Sequence, residues 1–526
     1  MFTTLDLPVE LWLEILSYLP KSALHKLIGI NRLLFELALD DIYEEVRFIT
    51  DDKQTEKIFL QMERFPSIAK RVRRLLIRPT FLPAMDAGEA GGRAHSSRAR
   101  ITIKERLFPR SNLLKYNPFE PRCTVEGRRD LDTGYILQLA EKAIKLCPDL
   151  QDLTVILHDH MLTKPFISFL KSLWKSDSPL MNPQKVLRSL ESFSIDLAPS
   201  RFEAIPKRAE EATNSSHRAL VSLRSFFSLF RDSITSISIS THSAHYFRTL
   251  ITYLPLRFPN LKKLEVLTIF KVSAHQTAPL FKFLDEHSGQ LEHLTIKPFP
   301  RQTSFGHTDD WYAIWISPSP PSTLVGEHSF GTGFARLVLP KLQYLDIGLR
   351  YRRIQHVPHW ANPNVNAKLL PNLNMLAPNL RHLVLSDVAL SLERVDDLVE
   401  SLSDDGGSGC GLESMDIIVT MLSPHIFDVL SAKLPGLKKL TIQHWALSDV
   451  RTQETYNELM LSFLEAIRAR RYPGWMLRYL RLTMMATCGK PHPNMVMMKG
   501  VAEALSSGVE LDGRLRCGCI DNFTYA

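Results

Sequence analysis

The spacing that comes nearest to metal chemistry is His158-Asp159-His160. Alternation along an extended segment puts His158 and His160 on one face, where both imidazoles could meet an ion edge-on. A zinc site takes four ligands, or three and an open position. No third ligand stands near, so the pair reads as surface turn residues after a strand. Cys517-Gly518-Cys519 is the one close cysteine pair and has no second pair to complete a metal set. Six cysteines in 526 residues do not make a disulfide framework, and read instead as free thiols in a reducing compartment. His492, between Pro491 and Pro493 and near Cys488, is equally isolated. The aromatic run from Trp311 to Ile316 could stack bases, but reads better as a buried strand under the Pro-rich loop that follows. No Gly-rich nucleotide fingerprint, P-loop or Gly-x-Ser-x-Gly elbow is present. These residues point away from an enzyme: no catalytic set, no cofactor and no metal are expected.

The elements must therefore position a binding surface. The chain is 44 % hydrophobic and 23 % charged, as soluble globular proteins are. Its length suits about three domains, or one elongated repeat array. The net charge of +8 is a mild excess. It is spread over short clusters, Lys70–Arg74, Arg350–Arg353 and Arg468–Arg471, which read as solvated surface and not as a phosphate track. The first residues lack the basic start and apolar stretch of a signal peptide. No run reaches the roughly 20 apolar residues that span a bilayer. A cytoplasmic or nuclear location is expected.

The stretch Leu7-Pro8-Val9-Glu10-Leu11 through Tyr18-Leu19-Pro20 predicts a short helix. Pro8 suits its first position and Glu10 its positive end. Leu11, Trp12, Ile15, Leu16 and Leu19 form one apolar stripe, and Pro20 stops the helix. A second helix is expected from Ser22 and a third from Asn31, the latter carrying Leu34, Leu37, Ala38 and Ile42. Three helices in about forty residues make a small core that needs a partner or the next domain. Leu7-Pro8, Glu10-Leu11, Ile15-Leu16, Tyr18-Leu19-Pro20, Leu24, Leu27 and Asn31-Arg32 together resemble the F-box family over residues 5–47. The family often ends its pattern on a Trp, where this chain has Tyr43.

Beyond this module one cassette recurs, hydrophobic-x-x-hydrophobic-x-hydrophobic, often after a Pro. It begins at Leu150, Leu261, Leu291, Leu342, Leu380, Leu412, Leu437 and Leu477, with weaker copies at Val72–Ile77, Leu190–Ile195 and Ile234–Ile239. Its alternation is that of a strand with one buried face. Helical segments separate the copies at Thr277–His287, Leu392–Leu402, Ser423–Leu434 and Asn457–Arg468. Strand, turn and helix in repetition predict parallel strands joined by helices, an α/β fold. The pattern resembles leucine-rich repeats, in particular the irregular ones that follow F-boxes in fungal proteins. Spacing is uneven and mostly wider than the usual 20–29 residues. The repeat family's Asn or Cys after the strand is replaced by Phe299, Arg350, Val388 and Trp445. The expected organisation is an F-box-like helical module over 1–50 and an irregular leucine-rich-repeat-like solenoid over 51–526. Met85–Arg100 has the composition of a disordered loop, Ile316–Gly333 is a Pro/Ser/Gly-rich insertion, and Asp404–Gly411 is a linker. The Leu190–Ile195 copy runs into Asp196-Leu197-Ala198-Pro199 and is expected to fray there.

The F-box resemblance implies docking on the Skp-type adaptor of a cullin-RING (SCF-type) ubiquitin ligase, through Leu7, Pro8, Leu11, Ile15, Leu16, Leu19 and Pro20. The repeat domain would hold the substrate protein. The alternatives are a repeat scaffold acting outside any ligase and, third, a nucleic-acid binder. In each cassette the residues flanking the second hydrophobic position point away from the core. One such row reads Lys263, His293, Tyr344, His382, Ser414, Lys439 and Tyr479. The next reads Glu265, Thr295, Asp346, Val384, Asp416, Thr441 and Arg481. The first row has no carboxylate and offers hydrogen-bond donors, which suits an acidic or phosphorylated peptide and equally a solvated face. Lys263, His293, Tyr344, His382, Lys439, Tyr479 and Arg481 are the candidate substrate-binding residues.

Overall fold

The computed structural model describes residues 8–19, 29, 32–82, 133–158, 164–174, 190–198, 223–241, 244–255, 257–268, 274–298, 337–348, 373–402, 411–446, 456–484, 494–504 and 510–511. Each cassette is a strand. In chain order the strands are β1 (Glu45–Phe48), β2 (Arg74–Ile77), β3 (Asp152–His158), β4 (Ser192–Ala198), β5 (Ser236–Thr241), β6 (Lys263–Thr268) and β7 (His293–Pro298). There follow β8 (Tyr344–Gly348), β9 (His382–Leu390), β10 (Ser414–Met421), β11 (Lys439–Ala446), β12 (Tyr479–Met484) and β13 (Glu510–Leu511). They form one sheet in strict sequence order, every neighbouring pair parallel. One strand per unit, with units stacked only on their neighbours, makes the chain an irregular leucine-rich-repeat-like solenoid of the α/β class.

Register follows from the cassette. Its second hydrophobic position forms an unbroken buried row that includes Phe193, Ile237, Leu264, Leu294, Leu345 and Leu383. Its third position forms another, through Ile195, Ile239, Val266, Ile296, Ile347 and Leu385. A slip of one residue would turn both rows to solvent, so burial itself holds the register. The residue ahead of each strand adds a backbone ladder. The Lys262 carbonyl accepts from the amides of Glu292 and His293, and the Glu292 carbonyl from those of Gln343 and Tyr344. The same pair of bonds recurs from Glu44 to Lys438.

The helices are α1 (Val9–Ser17), α2 (Arg32–Tyr43), α3 (Lys53–Arg64), α4 (Pro66–Ala69), α5 (Thr133–Ile144), α6 (Lys164–Trp174) and α7 (Ala244–Tyr253). After these come α8 (Ala274–Glu286), α9 (Leu373–Leu376), α10 (Leu392–Leu402), α11 (Pro424–Lys433), α12 (Tyr456–Arg468) and α13 (Asn494–Ala504). Expected and observed helix ends agree within a few residues at α8, α10, α11 and α12. Local chemistry marks α11 well: Ser423 precedes it in extended geometry, Pro424 opens it and Leu434 closes it. Asp52 caps α3 by accepting the Thr55 amide at 2.8 Å. The helices and the buried strand rows share one continuous apolar core. Its first half is rich in phenylalanine. Phe48 lies 5.2 Å from Phe59 and 5.9 Å from Phe169, and Phe193 lies 4.9 Å from Phe227.

Two expectations are corrected. The sheet begins at Glu45, ahead of the boundary expected after residue 50, because Val46 and Phe48 are buried and pair with Leu75 and Ile77. The β4 copy does not fray. It runs to Ala198 with Asp196 opposite Ser240 and Leu197 buried opposite Thr241, so the third inward position is filled. Strands β9 and β11 likewise run on through Val388 and Trp445, where a turn was expected. The stretches Met85–Arg100, Ile316–Gly333, Asp404–Cys410, Trp311–Ile316, Asp159-His160 and Arg350–Arg353, with Cys488, His492 and Cys517–Cys519, lie outside the described residues, as does the helix expected from Ser22.

Candidate docking surfaces

At the N-terminus, helix α1 starts where the Pro8 carbonyl accepts the amides of Leu11 and Trp12, at 3.1 and 3.2 Å. Pro8 thus stands one residue ahead of the helix and not at its first position. Of the expected docking residues, Pro8, Leu11, Ile15 and Leu19 are exposed, with Leu11 at 45 % and Ile15 at 46 %. Tyr18 beside them is 80 % exposed. Leu7 and Pro20 fall outside the described residues, and the Leu16 side chain does too.

Helix α2 has two apolar faces. Leu34 and Ala38 are buried, while Phe35 and Ile42 are exposed. The buried face is held to the solenoid by Arg71, whose guanidinium donates to the Glu36 carbonyl at 3.1 Å and pairs with the carboxylates of Glu36 and Asp40. Helix α2 then leads almost directly into β1, and Tyr43 donates to Gln61 of α3 at 2.9 Å. One face is spent on capping the repeat array; the other is open.

The second surface is the sheet face opposite the core. Lys263, His293, Tyr344, His382, Ser414, Lys439 and Tyr479 stand in consecutive register across β6–β12, as one row. The Tyr344 ring lies between His293 at 5.6 Å and His382 at 6.3 Å. The Lys439 ammonium sits 5.1 Å from the centre of the Tyr479 ring, a cation–π distance. Arg481 belongs to the next row, with Glu265, Thr295, Asp346, Val384, Asp416 and Thr441.

That next row changes the electrostatics of the first. Asp346 is buried and pairs with Lys297. Burial, then the nearby Asp346 charge, pushes the Asp416 carboxyl up to about 6, against the pull of Lys297, Arg481 and Lys439. Burial and the carboxylates Asp346 and Asp416 push the Tyr344 phenol up to about 12. Burial and Lys263 hold the His293 imidazole below its usual value. Tyr344 therefore stays a neutral donor, and His293 favours its neutral form.

Two basic clusters read as solvated surface are so in part: Lys70, Arg73, Arg468 and Arg471 are exposed, while other members tie the chain to itself. Arg71 holds α2, and Arg74 faces Glu44 and Glu45. Arg470 Nε donates to both carboxylate oxygens of Asp428 at 2.9 Å, and the Tyr472 hydroxyl donates to the same group at 2.7 Å. Arg468 pairs with Glu503 at 3.2 Å. Their partners lie some thirty or more residues away in sequence, which is why the clusters looked unpaired. Among the described residues no cluster of His, Cys, Asp and Glu could hold a metal, and no helix is long and apolar enough to cross a membrane.

No family model matches this chain, and no curated protein does. Among solved structures it is similar to a Rad7–Elc1 complex from yeast, at 12 % identity, covering 61 % of this chain and 69 % of that one, with a TM-score of 0.30. It is also similar to an internalin from Listeria monocytogenes, at 12 % identity, covering 70 % and 78 %, with a TM-score of 0.28.

Proposed function

We propose that this chain is a substrate-recognition adaptor of an SCF-type ubiquitin ligase. Its N-terminal helices dock on a Skp-type adaptor, and the open sheet face holds the protein to be modified. The observation that carries the reading is the exposure of Leu11 and Ile15 on α1 and of Leu19 just beyond it. Burying one such side chain is worth roughly 1.5–3 kcal/mol, so an unspent stripe at a chain end is a surface that a partner can use. In this reading the chain makes and breaks no bonds. It raises the effective concentration of acceptor lysines near the ligase's reactive thioester.

The test is affinity purification of the full chain, read by mass spectrometry. Skp-type adaptor and cullin subunits should co-purify. Their absence, with the chain folded, would overturn the reading. Burial of Leu34 and Ala38 favours a second reading, in which these helices only cap a scaffold that works outside any ligase. Stable partners without ligase subunits would decide for it.

A further inference from the structure

This inference rests on the open sheet face being a binding surface, and names the chemistry of what it binds. Two rows of outward positions within the strands line the face, and a third row, the residue ahead of each strand, exposed at Arg381 and Arg478, borders it where the strand begins. Over β1–β8 cations and carboxylates are near balance in these rows. Over β9–β12 the rows hold five cations, Arg381, Lys438, Lys439, Arg478 and Arg481, against two carboxylates, Glu413 and Asp416. Lys438 already meets Glu413 at 3.0 Å. Arg381, Lys439 and Arg478 are exposed and make no ion pair among the described residues.

We propose that β9–β12 form a docking surface for an acidic, extended segment of a partner protein. Strands lie about 4.8 Å apart, so β9 to β12 spans roughly 14 Å, the length of four to five extended residues. Acidic side chains at alternate positions of such a segment would meet Arg381 at one end and Lys439 and Arg478 at the other. Guanidinium groups take carboxylate and phosphate oxygens alike, in pairs, so Asp, Glu and phosphoserine share the required chemistry. A nucleic acid is less well matched. Glu413 and Asp416 would meet phosphates along a continuous backbone, whereas a segment with acids at alternate positions can set an uncharged residue there, and the clusters around Arg71 and Arg470 are spent on carboxylates of this chain.

Fluorescence anisotropy on the full chain tests this, with three labelled peptides that alternate Gly with Glu, with phosphoserine or with Lys, and a single-stranded oligouridine RNA. The Glu and phosphoserine peptides should bind and weaken as salt rises, while the Lys peptide should not bind. Arg381→Glu with Arg478→Glu should weaken both by at least about ten-fold, whereas Lys57→Glu, exposed on α3 away from the sheet face, should leave them within about two-fold. Tighter binding of the phosphoserine peptide assigns phosphate as the preferred source, and equal binding assigns carboxylate. If the double reversal fails to fold, Arg381→Gln with Arg478→Gln should give a smaller loss in the same direction. Equal binding of the Lys peptide, binding untouched by the folded variants, or RNA displacing both peptides from β9–β12 would each overturn the proposal. Skp-type adaptor capture by the reversed variant is read in parallel. If wild type binds acidic peptide but captures no adaptor, the ligase reading fails and the docking surface stands.

Discussion

The leucines of the cassettes and those of α1 come from the same kind of apolar patterning and end in opposite surroundings. Leu264, Leu294, Leu345, Leu383 and Leu440 are fully buried, each at the same place in its unit. Leu11 and Ile15 remain almost half exposed. A solenoid unit has a neighbour on each side and helices over its core face, so every inward side chain meets apolar atoms. Helix α1 lies before the first unit, and α2 already occupies the array's edge with Leu34 and Ala38. The contrast separates two uses of one pattern. Buried repeats of it build the fold, while the copy on α1 stays exposed.

The sharpest way to break that contrast is to truncate one side chain from each region. Leu440→Ala should cost about 2–5 kcal/mol by the cavity it leaves, read as a lower midpoint in urea. Ile15→Ala should change stability by no more than about 0.5 kcal/mol. Equal losses would show that α1 is packed as the repeats are.

Next in size is the junction between the regions. Arg71→Ala leaves Glu36 and Asp40 without their guanidinium and should cost about 1–2 kcal/mol, since Arg71 is largely buried and its partners are not. Hydrogen exchange should quicken in α2 and remain unchanged in α11. Unchanged exchange in α2 would mean that its buried apolar face alone holds it.

A smaller effect concerns pH within the repeat core. His287 is buried, accepts the Phe258 amide at Nε2 (2.8 Å) and contacts the Phe283 carbonyl through Nδ1 (2.6 Å), an arrangement that needs the neutral ring. Burial holds its folded pKa below the unfolded value, despite that carbonyl. Its contribution is therefore complete above the unfolded pKa of about 6.5 and is lost as pH falls through the folded value. Stability should drop between pH 7.5 and pH 5.5 more steeply in wild type than in His287→Gln. Parallel curves would remove His287 as the cause. The smallest effect is expected at Lys262 and Glu292, an exposed pair at 3.1 Å. Lys262→Ala should move stability by less than about 1 kcal/mol.

Local signals carried most of the fold. The cassette exposes its own register, so aligning Leu264, Leu294 and Leu345 also aligned Lys263, His293 and Tyr344 into the row the sheet shows. Strand β1 escaped although Tyr43-x-x-Val46-x-Phe48 carries the cassette, because its leading Tyr43 also ends the helix that continues the N-terminal module. The phenylalanine contacts and the ties of Arg71 and Arg470 escaped because they join residues far apart in sequence. The burial of Asp346 and the partial burial of Asp416 are likewise properties of the assembled sheet, since each cassette alone shows only an outward-facing acid. The proposed docking residues of α1 were legible as a stripe, whereas their exposure is a property of the folded chain.

The most direct measurement is capture of a Skp-type adaptor by the full chain, comparing wild type with Leu11→Asp/Ile15→Asp. Both side chains are exposed, so the variant should keep the wild-type circular dichroism spectrum and unfolding midpoint. The account predicts that wild type retains the adaptor through washing and that the variant loses it by more than about a hundred-fold, as two buried aliphatic contacts imply. Equal capture by a folded variant would contradict the claim that the stripe on α1 is the surface through which this chain binds its ligase.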